Sequence, residues 1–509
     1  MNNQVPAVSM HNISKRFGSV VANDKVDLEI YRGEILAILG ENGSGKTTLM
    51  NMLSGIYYPD EGEIRIDGRP VVISSPKEAF NLGIGMIHQH FKLVDVLTAV
   101  ENIVLGLEGK LDIKEAVGKI RSICELYGFD VDPYQKVYDM SVSQKQTVEI
   151  IKVLYRGASI LILDEPTAVL TPQETDRLFA VLRNMRDDGK AIVIITHKMH
   201  EVKSLSDRVA ILRKGQYITS VPTQSTDEQE MTNLMVGHSV KLNIKRPDPV
   251  NPKLKIDIRD LTVKNLDGVV RLDHVSFEAY SGEILGIAGV SGSGQKELLE
   301  AIAGLQPVES GSISFVEDDG AREELVGKDP LEIQKMGVSL SFVPEDRLGM
   351  GLVANMDLTD NMMLRTFRNG FTTIANRRIP RHIAEQVVHD LSVNTPGLNV
   401  PVRQLSGGNV QKVLVGREIT SSPKVLLTAY AVRGLDINSS YTIYDLINSQ
   451  KEKGVAVIYV GEDLDVLLEI SDRILVLCGG KVSGIVPGRE AKKEEIGLMM
   501  SRVGGKKNA

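Results

Sequence analysis

The sequence has little cysteine and no long apolar run, and each shortage excludes something. Its two cysteines, Cys124 and Cys478, cannot build a zinc site between them or a disulfide framework, so a reducing compartment is expected. No apolar stretch approaches the ~18 residues that a membrane-spanning helix needs. Residues 1–30 hold no apolar core of signal-peptide length. Any membrane role is therefore expected to run through partner proteins. Positive charge is also in deficit: 59 Lys and Arg stand against 66 Asp and Glu, a formal net charge of −7. Non-specific binding to nucleic acid or anionic lipid is not favoured by that balance. What remains is ordinary globular composition in a chain of 509 residues, too long for a single core and suited to several domains.

The chain repeats itself. "YRGEILAILGENGSGKTT" starts at Tyr31 and "YSGEILGIAGVSGSGQKE" at Tyr280, an offset of 249. Further on, "MSVSQKQTVEI" and "LSGGNVQKVLV" set Ser141 against Ser406, and "SDRVAIL" and "SDRILVL" set Ser206 against Ser471, both at an offset of 265. The second half is thus a full copy, with 16 extra residues between its early and late motifs. Between the copies lies "KRPDPVNPK", Lys245 to Lys253, whose three prolines cannot continue a helix or a central strand. The expected organisation is a first domain over 1–244, a linker over 245–253 and a second domain over 254–509. Within each half, short β-branched runs alternate with helical stretches. "ILILDE" (Ile160–Glu165) and "AIVIIT" (Ala191–Thr196) read as buried parallel strands, with "ETDRLFAVLRNMRDDG" between them as a crossover helix. This predicts an α/β architecture in duplicate.

The first half carries phosphate chemistry. Gly40, Gly45, Lys46 and Thr47 sit between the strand-like "EILAIL" and the helical "LMNMLSG", the context a phosphate loop needs. The glycines let backbone N–H groups wrap phosphate oxygens, and the helix N-terminus adds positive potential. Lys46 reaches the terminal phosphates and Thr47 offers a hydroxyl to Mg²⁺. Asp164 ends an apolar strand, where a carboxylate can hold Mg²⁺, and Glu165 can polarise the attacking water as general base. His197 follows a strand end and can reach the terminal phosphate. Gln89, in "HQHFKL", is a candidate sensor of Mg²⁺ and the attacking water, and Phe17, in "KRFG", a candidate to stack on adenine. A lone His or Phe is more often simply packed, so these last assignments lean on the loop and the carboxylates.

Taken together, these residues resemble the ATP-binding-cassette family over nearly the whole chain. The decisive stretch is "LSGGNVQK", Leu405 to Lys412, a near match to that family's signature, beside the loop and "LILDEPTAVL". The resemblance implies two tandem P-loop cassettes, each with a RecA-like α/β core, an antiparallel β subdomain and a helical signature subdomain. It implies ATP and Mg²⁺ as ligands, held by Asn42, Gly43, Ser44 and Thr48 as well as the loop residues above. It also implies a head-to-tail cassette pair, in which Ser406, Gly407, Gly408 and Gln411 of one half complete the site of the other.

On that pairing, the defects of the two halves fall together. In the second half Gln295 replaces the loop lysine, Ala429 and Tyr430 stand where Asp164 and Glu165 do, Glu462 stands for His197, and Leu266 for Phe17. Lys296, one position on, is about 100° further round a helix and should point elsewhere. In the first half the signature reads "MSVSQ", with Val142 and Ser143 for the two glycines. One composite site would be whole and the other degenerate.

Two uses of such an ATPase differ in class: one docked on membrane permeases, and a soluble one of translation or DNA maintenance. The short proline linker, the single intact site and the absence of zinc cysteines favour transport. "VPEDR" (Val343 to Arg347) resembles the importers of simple sugars and nucleosides. "MIHQHFKLVDVLTAVENIVLG" (Met86 to Gly106) looks most like the nucleoside branch and would help form the groove that receives a permease helix. The resemblance implies two integral-membrane permeases, an extracytoplasmic solute-binding lipoprotein and a peripheral place on the cytoplasmic face of a bacterial membrane. Import of ribose, galactose or another monosaccharide is the alternative.

Overall fold

The computed structural model describes residues 5–501 except 19, 89–90, 108–111, 169, 238–243, 266, 291, 343–350, 367–375, 406, 420–422, 433–434, 436 and 462. The chain divides into two compact units, residues 1–241 and 242–509. Each is built to the same plan.

In the first unit the apolar runs become the centre of a six-stranded sheet. Its order is Gln216–Pro222, Arg208–Arg213, Ile35–Leu39, Ala191–Thr196, Ile160–Asp164, Ile84–Ile87. All neighbours are parallel except the outermost pair, Gln216–Pro222 with Arg208–Arg213. Every residue of the three central strands is buried, as a parallel sheet covered on both faces requires. Crossover elements follow from local signals. Thr171 and Glu174 form a capping box before the helix Pro172–Asp187, and proline fills its first turn. A four-stranded antiparallel sheet, ordered Val20–Ile30, Val8–Phe17, Glu61–Ile66, Arg69–Val71, packs its apolar side with the central sheet in one core cluster. Helices Ala99–Val104, Ile113–Tyr127 and Val142–Tyr155 share a separate apolar cluster and form the helical part.

The second unit repeats both sheets in the same order, with Ile284–Ala288 at the place of Ile35–Leu39. Several polar anchors are repeated too. Asp207 accepts from the Ile35 N–H, and Asp472 from the Ile284 N–H, each at 2.8 Å. Arg208 pairs with Glu34, and Arg473 with Glu283. The proline segment between the halves is irregular and lies on the second unit. Asn448 donates to the Lys245 carbonyl at 2.6 Å, the buried Lys451 ammonium donates to the Pro247 carbonyl, and Lys253 N–H donates to Ser281.

Candidate active site

The site of the first unit is assembled at the carboxyl ends of the central strands, where open α/β sheets bind ligands. The strand Ile35–Leu39 runs into the loop Gly40–Gly45, and the helix Lys46–Leu53 leaves it. Two glycines are required by the close packing. A Cβ on Gly40 would lie 2.3 Å from the Leu212 carbonyl, and one on Gly45, whose φ is 94°, would lie 2.3 Å from the Ala22 carbonyl. Asn42 and Thr47 are exposed at the rim, Ser44 is buried, and Thr48 is intermediate.

Lys46 is buried and folds back over its own loop, donating to the Gly40 carbonyl at 2.6 Å and the Glu41 carbonyl at 3.0 Å. Burial holds its ammonium below the usual lysine range, partly offset by the charges of Glu165, Asp164 and Glu41. Asp164 ends the strand Ile160–Asp164 at 7% exposure. Burial, then the neighbouring Glu165 charge, pushes its carboxyl up to about 6, against the pull of the Thr47 hydroxyl bond and Lys46.

Glu165 takes a left-handed backbone conformation, φ 48°, with its N–H on the Ile195 carbonyl at 2.9 Å. That turn aims its side chain at the end of the next strand. Glu165 Oε1 lies 2.8 Å from Nδ1 of His197, while Oε2 is buried without a partner among the described residues. Lys46, Asp164, Glu165 and His197, all expected from the sequence to share a site, are thus brought together. Phe17 lies at the end of the strand Val8–Phe17, 43% exposed, its ring edge-on to Tyr57 at 5.2 Å.

The second unit keeps the backbone and loses the groups. Gly294 has φ 99° before the helix Gln295–Ile302, and Gln295 is as buried as Lys46. Its Nε2 donates to the Val290 carbonyl at 3.2 Å. Lys296 points outward, 3.6 Å from Glu300. Tyr430 repeats the left-handed turn of Glu165, with φ 57° and its N–H on the Val460 carbonyl. Its carboxylate neighbour is gone, because Ala429 ends that strand.

The signature residues fall out differently. Gly407 and Gly408 open the helix Gly407–Ile419. Gln411 is fully buried in that helix, with Nε2 on the Ala431 carbonyl at 2.6 Å. Gln146 does the same in the first unit, donating to the Pro166 carbonyl at 2.6 Å. Ser141 caps the helix Val142–Tyr155 in a capping box with Gln144, so Val142 and Ser143 form its first turn. Gln89, Ser406, Leu266, Glu462 and the stretch Val343–Arg347 lie outside the described residues.

Two residues here were not singled out in the sequence. Tyr57 braces Phe17. Glu201, buried four residues beyond His197, accepts from Thr167 and Thr196. The signal for Glu201 was available in the repeat: the second half has Val466 at its place.

The residues fit ATP and Mg²⁺. The loop is a cradle that a Cβ would fill, and buried polar atoms without partners among the described residues, Ser44 Oγ and Glu165 Oε2, belong to it and to the carboxylate pair. Among the described residues no group of three or more His, Cys, Asp or Glu could hold a metal unaided. A hydroxyl and a single carboxylate, Thr47 and Asp164, suit Mg²⁺ that takes its other ligands from phosphate and water.

Comparison with known proteins gives the family. The ABC transporter family model matches twice, over residues 23–168 and 272–428. The chain is 42% identical to the nucleoside import ATP-binding protein NupA of Lactococcus lactis subsp. cremoris (strain MG1363), over 98% of this chain and 99% of that one. It is 39% identical to the guanosine import ATP-binding protein NupO of Bacillus subtilis (strain 168), over 97% of each. The archaeal ribosome recycling factor aABCE1, solved with the ribosomal stalk protein aP1, is similar in fold, with a TM-score of 0.57 and 16% identity, covering 91% of this chain and 87% of that one.

Proposed function

The chain belongs to the ABC transporter family as an import ATPase with two fused cassettes, and from that premise we propose that it hydrolyses ATP at the first-half site to drive nucleoside uptake. The observation that carries the site is the Glu165–His197 contact at 2.8 Å beside Lys46 and Asp164, which has no counterpart in the residues of the second half. The nucleoside reading is supported by identity to nucleoside importers over almost the full length.

Lys46 turns from its loop carbonyls to the terminal phosphates, exchanging two carbonyl bonds for charged ones. Loop N–H groups and the helix N-terminus hold the remaining phosphate charge. Thr47 and Asp164 would hold Mg²⁺, which when bound neutralises charge on the phosphate oxygens. Glu165 takes a proton from the attacking water at Oε2, the oxygen His197 leaves free. His197 orients that carboxylate and faces the departing phosphate. Phe17 offers its exposed ring to adenine.

The rest of the assembly follows the family resemblance. That resemblance implies a first-half site completed by the second-half signature, Ser406 to Gly408, and a second loop that, without cation or base, does not turn over. The chain works with two permease subunits and a solute-binding lipoprotein, at the cytoplasmic face of the membrane. No described helix is long and apolar enough to cross a membrane.

Uptake of radiolabelled guanosine, uridine and ribose by cells with and without this chain tests the substrate. Loss of nucleoside uptake with ribose uptake intact supports the reading; loss of ribose uptake alone overturns it. Ser406→Arg tests the composite site, and hydrolysis at the wild-type rate in that variant would exclude it.

A further inference from the structure

Resting on the reading that Glu165 and His197 are the hydrolytic pair, we propose that Glu201 is the positioning residue that sets them in register. Glu201 lies in the short helix Met199–Leu205 and is only 4% exposed. One carboxylate oxygen accepts from the Thr167 hydroxyl and lies 3.2 Å from the Lys198 ammonium. The other accepts from the Thr196 hydroxyl at 3.3 Å. Thr167 follows Glu165 by two residues, and Thr196 immediately precedes His197. A single buried carboxylate therefore bridges the two backbone segments that carry the pair. Thr196 Oγ1 is held in turn by the Lys198 N–H at 3.1 Å.

The second unit tells this role apart from a folding role. Polar anchors that the fold needs recur there: Asp472 for Asp207, Glu283 for Glu34, and Gln411 for Gln146 on the same turn. Even the left-handed backbone of Glu165 recurs at Tyr430. The Glu201 bridge does not. Val466 stands for Glu201, Val432 for Thr167, Gly461 for Thr196 and Asp463 for Lys198. Val432 and Val466 pack against the apolar core of their unit, and Asp463 caps the helix Leu464–Ile470. The same strand ends and turn form without any member of the bridge. All four are replaced in the half that has also lost the base and the histidine. A buried carboxylate with three polar partners is costly to keep for packing alone, and the half without catalysis does without it.

The test is steady-state ATP hydrolysis by the full chain, with nucleotide binding and thermal midpoint measured beside it. Glu201→Val installs the residue of the second half. It should lower kcat on the order of 100-fold while KM, and the Kd for a fluorescent ATP analogue, stay within about twofold. Glu201→Gln keeps an acceptor for Thr167 and should recover part of the loss. Thr167→Ser, which keeps the hydroxyl, should remain near wild type, whereas Thr167→Val should follow Glu201→Val; this pair carries the test if valine at 201 unfolds the chain. A kcat for both valine variants within about twofold of wild type overturns the proposal. So does a joint fall of kcat, binding and thermal midpoint in which Thr167→Ser is as damaged as Thr167→Val. Glu165→Gln, run in parallel, separates the two levels. If it hydrolyses at the wild-type rate, the catalytic reading fails. If it is inactive while the valine variants are not, only the role of Glu201 fails.

Discussion

Lys46 and Gln295 occupy the same place in their phosphate loops, equally buried, and each turns its terminal nitrogen onto carbonyls of its own loop: Lys46 onto Gly40 and Glu41, Gln295 onto Val290. The amide reproduces the lysine's resting contact without its charge. The resting contact therefore does not require a cation.

Lys46→Gln should accordingly leave the thermal midpoint of the nucleotide-free chain nearly unchanged. ATP affinity should fall about 10- to 100-fold, since charged hydrogen bonds contribute about 1.5–3 kcal/mol. Isothermal titration beside a thermal melt checks both parts. The converse variant, Gln295→Lys, should leave hydrolysis at the wild-type rate, because Ala429 and Tyr430 supply neither metal ligand nor base.

Asp164 gives a pH dependence with a definite sign. Its carboxyl is raised to about 6 from an ordinary value of 3.8. A raised value in the folded state means that protonated Asp164 favours the nucleotide-free fold. That contribution is fully present below the unfolded value and is lost as pH rises through about 6. Mg²⁺ demands the ionised form, so MgATP affinity should weaken as pH falls through about 6. Asp164→Asn should flatten the stability of the nucleotide-free chain across that window. Melts and MgATP titrations from acid to neutral pH, on both chains, provide the check.

Glu165→Gln should preserve ATP binding and lower kcat about 100- to 10,000-fold, the usual range for a general base. Substantial residual turnover would point to a second competent site and so revive the loop around Gln295.

Tyr57 packs edge-on against Phe17, the ring proposed to stack on adenine. Tyr57→Ala should raise KM for ATP about two- to tenfold with kcat unaffected, as an aromatic pair contributes about 0.5–1.5 kcal/mol. Tyr57→Phe should behave as wild type. In the second half Gln306 stands at that place and donates to the Lys264 carbonyl, so no ring is braced there.

The duplicated α/β plan, the strands Ile160–Asp164 and Ala191–Thr196, and the loop at Gly40–Lys46 were all legible in the sequence. Their signals are local: apolar runs of strand length, glycine spacing, capping residues and prolines, each acting over a few positions. Even the outward course of Lys296 follows from helix geometry alone. What the tertiary structure decided depends on contacts that join distant segments. Only folding brings Thr167 to Glu201 and Asn448 to Lys245, 34 and 203 positions apart. The bond from Gln411 to the Ala431 carbonyl likewise joins segments 20 positions apart. The proline segment reads as a linker by composition, and Lys451 and Asn448 hold it on the second unit. Sequence by itself determined which chemical groups each half owns, because residue identity needs no geometry. Which of those groups meet, and which are spent on holding the backbone, was decided by burial, since a buried polar atom must find its partner wherever the fold supplies one.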